Sequence, residues 1–229
     1  LKEHFMKYDY ILFDLDGTIS ESGPGITKAM QYGLTAVGIE ENDSAVLHSF
    51  IGPPLNVQIK KIYGLSDKDI LAVITKFREQ YDTKGVFDSS PYEGIKELLD
   101  ILQADGATLA VASSKPLPLV EKLLQKFHFT SYFSAVVGSD PEDEMKNKAD
   151  FDQKIRMIRK TLAILGVPAE RNDSVLMVGD KNYDIIGAKS NHIRSAGVLW
   201  GYGSKKELEE AGADFLFDSP GDLKKFLLT

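Results

Sequence analysis

Apolar runs and amphipathic stretches alternate along this chain. The run YDYILFDLD (8–16) is almost continuously apolar until its acids. Such runs suit parallel strands covered on both faces. GATLAVASS (106–114), FSAVVGS (133–139) and DSVLMVGD (173–180) repeat the pattern, and IRSAGVLW (193–200) and ADFLF (213–217) are shorter versions of it. Helical periodicity lies between them. PYEGIKELLDILQAD precedes the second strand, and PLPLVEKLLQKF follows it with Pro116 suited to a first helical turn. DQKIRMIRKTLAILG ends at Gly166, a C-terminal cap residue, and NYDIIGAKSN, SKKELEEAG and SPGDLKKFLL complete the alternation. Strand–helix alternation of this kind predicts an α/β fold with a doubly wound parallel sheet.

One interval breaks the rhythm. From Gly23 to Ser90 no buried strand is legible; PGITKAMQYGLTAVG, SAVLHSF, PLNVQIKKIYG and SDKDILAVITKFREQYDTKG carry helical periodicity punctuated by Gly and Pro. The expected organisation is a core of residues 1–22 and 91–229 with a small helical module, 23–90, inserted after the first strand.

Candidate chemistry gathers at the C-terminal ends of the strands, where open α/β sheets bind ligands. Asp14 and Asp16 end the first strand. Residues two apart in a strand point to one side, so both carboxylates can face one cleft. Gly17 then permits a tight turn and Thr18 can bond nearby backbone. In MVGDKNYD, Asp180 closes a strand and Asp184 follows one helical turn later, although an acid at a helix start also serves the backbone there. Ser113, Ser114 and Lys115 in VASSKP offer hydroxyls and N–H groups at a strand end before a helix, which can hold an anion or merely cap the helix. A lysine at the start of DQKIRMIRK, Lys154, is a candidate cation, with Lys148 its competitor; a solvated surface lysine is the plainer reading of either.

Composition narrows the classes. The 229 residues carry a formal net charge of −7, which does not favour a nucleic-acid-binding surface. The absence of cysteine excludes disulfides, thiolate metal sites and cysteine nucleophiles, and suits a reducing cytoplasm. No apolar run approaches the roughly 20 residues that span a bilayer. The opening LKEHFMKYDY has no signal-peptide core, and Met6 is a candidate natural start.

In this order, FDLDGT, VASSK and VGDKNYD resemble the first, second and fourth motifs of the haloacid dehalogenase-like superfamily. The helical insert resembles the mobile cap of its phosphoglycolate phosphatase-like branch, and SFIGPPL (49–55), with Gly52, is similar to a cap loop that faces the substrate. The third motif, a lone lysine, is diffuse here: GSDPEDEMKNKADFDQKIRMIRK is longer than usual and offers several. Counting back from VGD favours Lys154 over Lys148.

The resemblance implies a Rossmann-like core and a Mg²⁺-dependent phosphomonoester hydrolase acting on a small phosphorylated metabolite. It implies Asp14 as nucleophile, forming an aspartyl-phosphate, and Asp16 as general acid and base. Asp14 and Asp180 with the Asp16 carbonyl are the implied metal ligands, and Asp184 is implied to join them through water or to support them from behind. Ser113 and Lys154 are implied to hold the phosphoryl oxygens, with Gly17, Thr18, Ser114, Lys115 and Gly52 on the phosphate side. Asp16 argues against carbon–halogen hydrolysis, which needs no proton for a leaving alkoxide. A nucleotidase, a sugar-phosphate phosphatase and a phosphomutase stay open, as does a catalytically silent phosphometabolite-binding protein. Phosphonate cleavage would recruit a cap lysine, for which Lys28 has no special claim. A receiver-type phospho-acceptor would be shorter, without a helical insert or a second acid two residues on. Neither nucleic acid nor membrane is expected as a partner, and the chain is expected to be a monomer or homodimer.

Overall fold

The computed structural model describes residues 7–142, 150 and 152–228. Lys148 lies outside them. The expected strands form one six-stranded sheet: β1 (Tyr10–Phe13), β4 (Thr108–Pro116), β5 (Phe133–Ser139), β6 (Val175–Gly179), β7 (Arg194–Val198) and β8 (Phe215–Phe217). Their order is β5-β4-β1-β6-β7-β8, and every pairing is parallel.

Burial on both faces explains the apolar runs. Ile11 and Phe13 join one apolar cluster, and Leu12 between them joins the cluster on the other side with Ala110, Ala112 and Met177. All three β1 side chains are fully buried, each contributing about 1.5–3 kcal/mol by removal from water. The helices α5 (Ile95–Ala104), α6 (Leu117–Lys126), α7 (Gln153–Leu165), α8 (Asn182–Ser190), α9 (Lys205–Ala211) and α10 (Pro220–Leu227) alternate with the strands.

The chain builds outward from β1 in two directions, through β4 to β5 and then through β6 to β8. The strand order therefore reverses beside β1, and a crevice opens beyond the carboxyl ends of β4, β1 and β6. Asp14 continues the β1 pairing by donating its N–H to the Val178 carbonyl at 2.9 Å.

The helical interval contains α1 (Gly23–Leu34), α2 (Ser44–His48), α3 (Leu55–Tyr63) and α4 (Asp67–Tyr81). It leaves and rejoins the rest of the chain through an antiparallel ribbon that the sequence reading missed, β2 (Ser20–Glu21) against β3 (Ser90–Pro91). Two residues per strand carry too short a pattern to read. This ribbon also delays α5, which begins at Ile95 after Gly94 in the left-handed region at φ +83°. Pro116 does not start a helix: it ends β4, and Pro118 occupies the early helical position of α6.

Met30 and Leu34 of α1 are buried in the same cluster as Val73, Ile74 and Phe77 of α4, continuous with the apolar face of the sheet. At the root of the insert α1 meets backbone directly. A Cβ at Gly25 would lie 2.0 Å from the Gly85 carbonyl oxygen. Gly25→Ala should therefore cost about 1–3 kcal/mol of stability, the usual penalty of overpacking, read as a lower urea midpoint at unchanged slope. An unchanged midpoint would mean that the two segments separate freely.

Candidate active site

Asp14 stands just past β1, Asp180 just past β6, and Asp184 in the first turn of α8. One carboxylate oxygen from each lies within 4.8 Å of the others, and all three residues are buried. Two unit charges at that distance repel by about 3.5 kcal/mol at an effective dielectric near 20. Three such pairs approach the whole stability of an ordinary domain, so the cluster needs positive charge.

Part of it comes from Lys154. Its Nζ lies 2.7 Å from Asp14 Oδ1 and 2.9 Å from Asp184 Oδ1, and donates to the Ala112 carbonyl at 3.0 Å. These carboxylate oxygens have no other partner: each faces Lys154 as a charge pair rather than through a well-formed hydrogen bond. The lysine sits in the first turn of α7 and is 4% exposed. Burial opposes its charge, but Asp14 and Asp184 outweigh burial and raise its pKa.

Lys154 does not balance the cluster. Burial pushes the Asp14 carboxyl up to about 6 against the pull of Lys154, with Asp184 and Asp16 adding to the rise. Asp180 is raised well above the ordinary carboxylate range, by burial first and then by Asp184 and Asp14. Its hydrogen bonds come from dipoles: the Thr18 hydroxyl donates to its Oδ1 at 3.4 Å and the Tyr202 N–H to its Oδ2 at 2.8 Å. Three carboxylates against one ammonium leave a deficit of two positive charges. A hard divalent cation with oxygen ligands fits that donor set.

Local backbone makes the convergence possible. Gly17 has φ +86°, and a Cβ there would lie 2.2 Å from Asp180 Oδ2. The turn closes with Gly17 N–H to Ser20 O at 2.8 Å and Ser20 N–H to Leu15 O at 2.8 Å. Asp184 serves two purposes at once. Its Oδ2 accepts the Lys181 N–H at 3.0 Å, the ordinary service of an acid at a helix start, while Oδ1 faces the cluster.

Asp16 has a cation of its own. Lys115 Nζ lies 2.9 and 3.2 Å from its two oxygens and 2.6 Å from the Tyr81 hydroxyl of α4. Burial is the largest influence on Tyr81, whose pKa is pushed up to about 12. The Lys115 ammonium faces Asp16 and Tyr81. The buried Thr18 hydroxyl points at Asp180.

Asp14, Asp16, Ser113, Ser114, Lys115 and Gly52 line one cleft of about 640 Å³, measured with its open mouth. Ser113 Oγ accepts the Lys115 N–H at 3.2 Å. Gly52, at φ +104°, lies on the insert side, where a Cβ would come 3.1 Å from the Lys181 side chain. Arg78, Tyr81 and Asp82 of the α4 end line the same cleft and were not singled out from the sequence. A tyrosine in an amphipathic helix reads as core. Tyr202 was missed as well, although the glycines beside it in WGYG, past a strand, are a usable signal for a tight approach.

An all-parallel sheet whose reversal point carries buried carboxylates, an ammonium and a cleft is an α/β enzyme site built for charge-stabilised chemistry. Residues 11–198 match the family model described as haloacid dehalogenase-like hydrolase, and the chain belongs to that family. A 5'-nucleotidase of Pseudomonas aeruginosa is 35% identical over 208 residues, covering 91% of this chain and 90% of that protein. A phosphoglycolate phosphatase of Aquifex aeolicus is 33% identical over 217 residues, covering 95% of each chain. Among solved structures, a "predicted phosphatase" from Clostridium acetobutylicum superposes with a TM-score of 0.88 at 36% identity, over 96% of this chain and 98% of that one.

Removing the ammonium tests the balance of charge. Lys154→Met should cost about 3–5 kcal/mol in metal-free protein, since it leaves buried charge without its partner. Chemical denaturation in chelator measures the loss, and unchanged stability would show that the carboxylates are already neutral.

Proposed function

We propose that this protein is a Mg²⁺-dependent phosphomonoester hydrolase that works through an aspartyl-phosphate on Asp14. The observation that carries the reading is the separation of the two carboxylates. Asp14 lines the cleft while embedded in the carboxylate–Lys154 cluster, whereas Asp16 lines the same cleft in the grip of Lys115.

The split gives each acid a role. Asp14 attacks phosphorus, and Lys154 beside it, with the Ser113 hydroxyl, holds phosphoryl oxygens as charge moves through the transition state. Asp16 gives a proton to the leaving oxygen and later takes one from the attacking water. Asp14, Asp180, Asp184 and the Asp16 carbonyl are the residues that would hold Mg²⁺. The bound ion would neutralise the carboxylates and the phosphoryl oxygens so that they can meet. Thr18 and the Tyr202 N–H orient Asp180, and Gly17 lets the first loop approach it.

Residues 23–90 act as a cap on the core of residues 1–22 and 91–229, with the Gly52 loop and the α4 end closing over the phosphate. The substrate is a small phosphorylated metabolite. The relatives' names divide between a nucleoside monophosphate and a two-carbon phospho-acid, and a panel containing both decides between them. The lack of cysteine and of any described helix long and apolar enough to cross a membrane accords with a cytoplasmic enzyme.

Two variants test the chemistry. Asp14→Asn should lower turnover of p-nitrophenyl phosphate with Mg²⁺ by about a thousandfold or more, as loss of a nucleophile does; near-normal turnover removes the assignment. Asp16→Asn should still release one equivalent of p-nitrophenol, a leaving group that needs no proton. It should then stall with a chain heavier by one phosphoryl group, seen by mass spectrometry. Steady turnover without that adduct contradicts the acid–base role.

A further inference from the structure

The loop after β7, Trp200-Gly201-Tyr202-Gly203, has no part in the chemistry above beyond one N–H, yet it is packed against the site's backbone. A Cβ at Gly201 would lie 2.2 Å from the Gly17 carbonyl oxygen, and one at Gly203 would lie 1.7 Å from the Asp180 carbonyl oxygen. Trp200 Nε1 donates to the Thr18 carbonyl at 3.0 Å. The loop therefore grips both the Asp14–Thr18 turn and Asp180.

Tyr202 continues to the other side of the loop. Its hydroxyl accepts the Ser22 N–H at 3.0 Å and the Gly23 N–H at 2.7 Å, and donates to Glu21 Oε1 at 3.2 Å. Tyr92 makes a further hydrogen bond to the same hydroxyl. Burial leads the influences on this phenol and pushes its pKa up to about 12, against the Tyr92 hydrogen bond and with the Glu21 charge adding to the rise. The acceptors matter because α1 lacks its own cap. Ser22 is its N-cap residue, yet the Ser22 side chain makes no capping bond and its buried Oγ has no partner. First-turn N–H groups need an acceptor, and the core supplies it from 179 residues away in sequence.

We infer that Tyr202 is a positioning residue tying the carboxylate cluster to the root of the helical insert, its N–H fixing Asp180 and its hydroxyl capping α1. A shift of Asp180 upon ligation is then felt at Ser22 and Gly23, where the insert departs, and the orientation of the insert is felt at Asp180. The link is one side chain long and uses the chain's own backbone at both ends. It rests on the reading that the cluster takes a divalent cation.

Tyr202→Phe tests the link in the intact protein, because it keeps the ring and the N–H to Asp180 and removes the hydroxyl, with its bonds to Ser22, Gly23, Glu21 and Tyr92. Hydrogen exchange at the Ser22 and Gly23 amides, followed by NMR with and without Mg²⁺, reads one end; titration calorimetry with Mg²⁺ reads the other. In wild type, Mg²⁺ should slow those amides by about fivefold, the scale of a helix cap. In Tyr202→Phe the amides should exchange about fivefold faster and ignore Mg²⁺, and Mg²⁺ affinity should fall by about the same fivefold, because coupling between two sites is reciprocal. Glu21→Ala, which frees the hydroxyl without deleting it, should move the same amides in the same direction by less, and serves if the Phe variant folds poorly. Wild type that binds no Mg²⁺ overturns both this inference and the metal reading. Binding without protection at Ser22 and Gly23, or protection that survives in Tyr202→Phe, overturns this inference alone.

Discussion

Three buried carboxylates share a space that one lysine cannot neutralise, and much of the surrounding structure follows from that. Asp14 and Asp180 project from neighbouring strands, β1 and β6, and Asp184 from the helix after β6. The parallel sheet makes the convergence unavoidable, because the strand ends point to one edge and the order reverses there. The cost of the charges is offset locally, by Lys154 on two of them and by an N–H and a hydroxyl on the third. What remains is a deficit that a divalent cation fits. What is an electrostatic liability for the carboxylates alone is an arrangement that a bound cation would relieve.

The second arrangement sits across the cleft. Lys115 holds Asp16 apart from the cluster and is itself held by Tyr81, at the end of the insert. Two neighbouring acids on one strand end thereby live in different surroundings, which is how a pair of like groups takes on unlike roles. Tyr81 and Tyr202 come from opposite sides, one from the insert to the core and one from the core to the insert. Both bring a phenol hydroxyl to a place where the local chain cannot supply its own partner.

The fold was legible because most core strands carry an apolar run and most intervening helices a 3.6-residue period. Both signals are local. The β2–β3 ribbon was not, since each strand has only two residues and the whole insert separates them in sequence. In the site, Asp14, Asp180, Asp184 and Lys154 could be anticipated from strand ends, a helix start and the family resemblance, and the structure brings them together. The Lys115–Asp16 pair was not legible because its members lie 99 residues apart. Nothing local says that the Thr18 hydroxyl turns toward Asp180. Tyr81 and Tyr202 act through long-range contacts, and such contacts leave no periodic trace.

The central claim is that the Asp14–Asp180–Asp184 cluster is short of positive charge that a divalent cation supplies. The thermal midpoint of the unmodified protein, followed across a Mg²⁺ titration, tests it most directly, since a ligand of the folded state alone stabilises in proportion to the logarithm of its concentration above Kd. The account predicts a midpoint that climbs steadily with Mg²⁺ in wild type and scarcely moves in Asp180→Asn. A wild-type midpoint that is flat across the titration, or an equal climb in the variant, would contradict it.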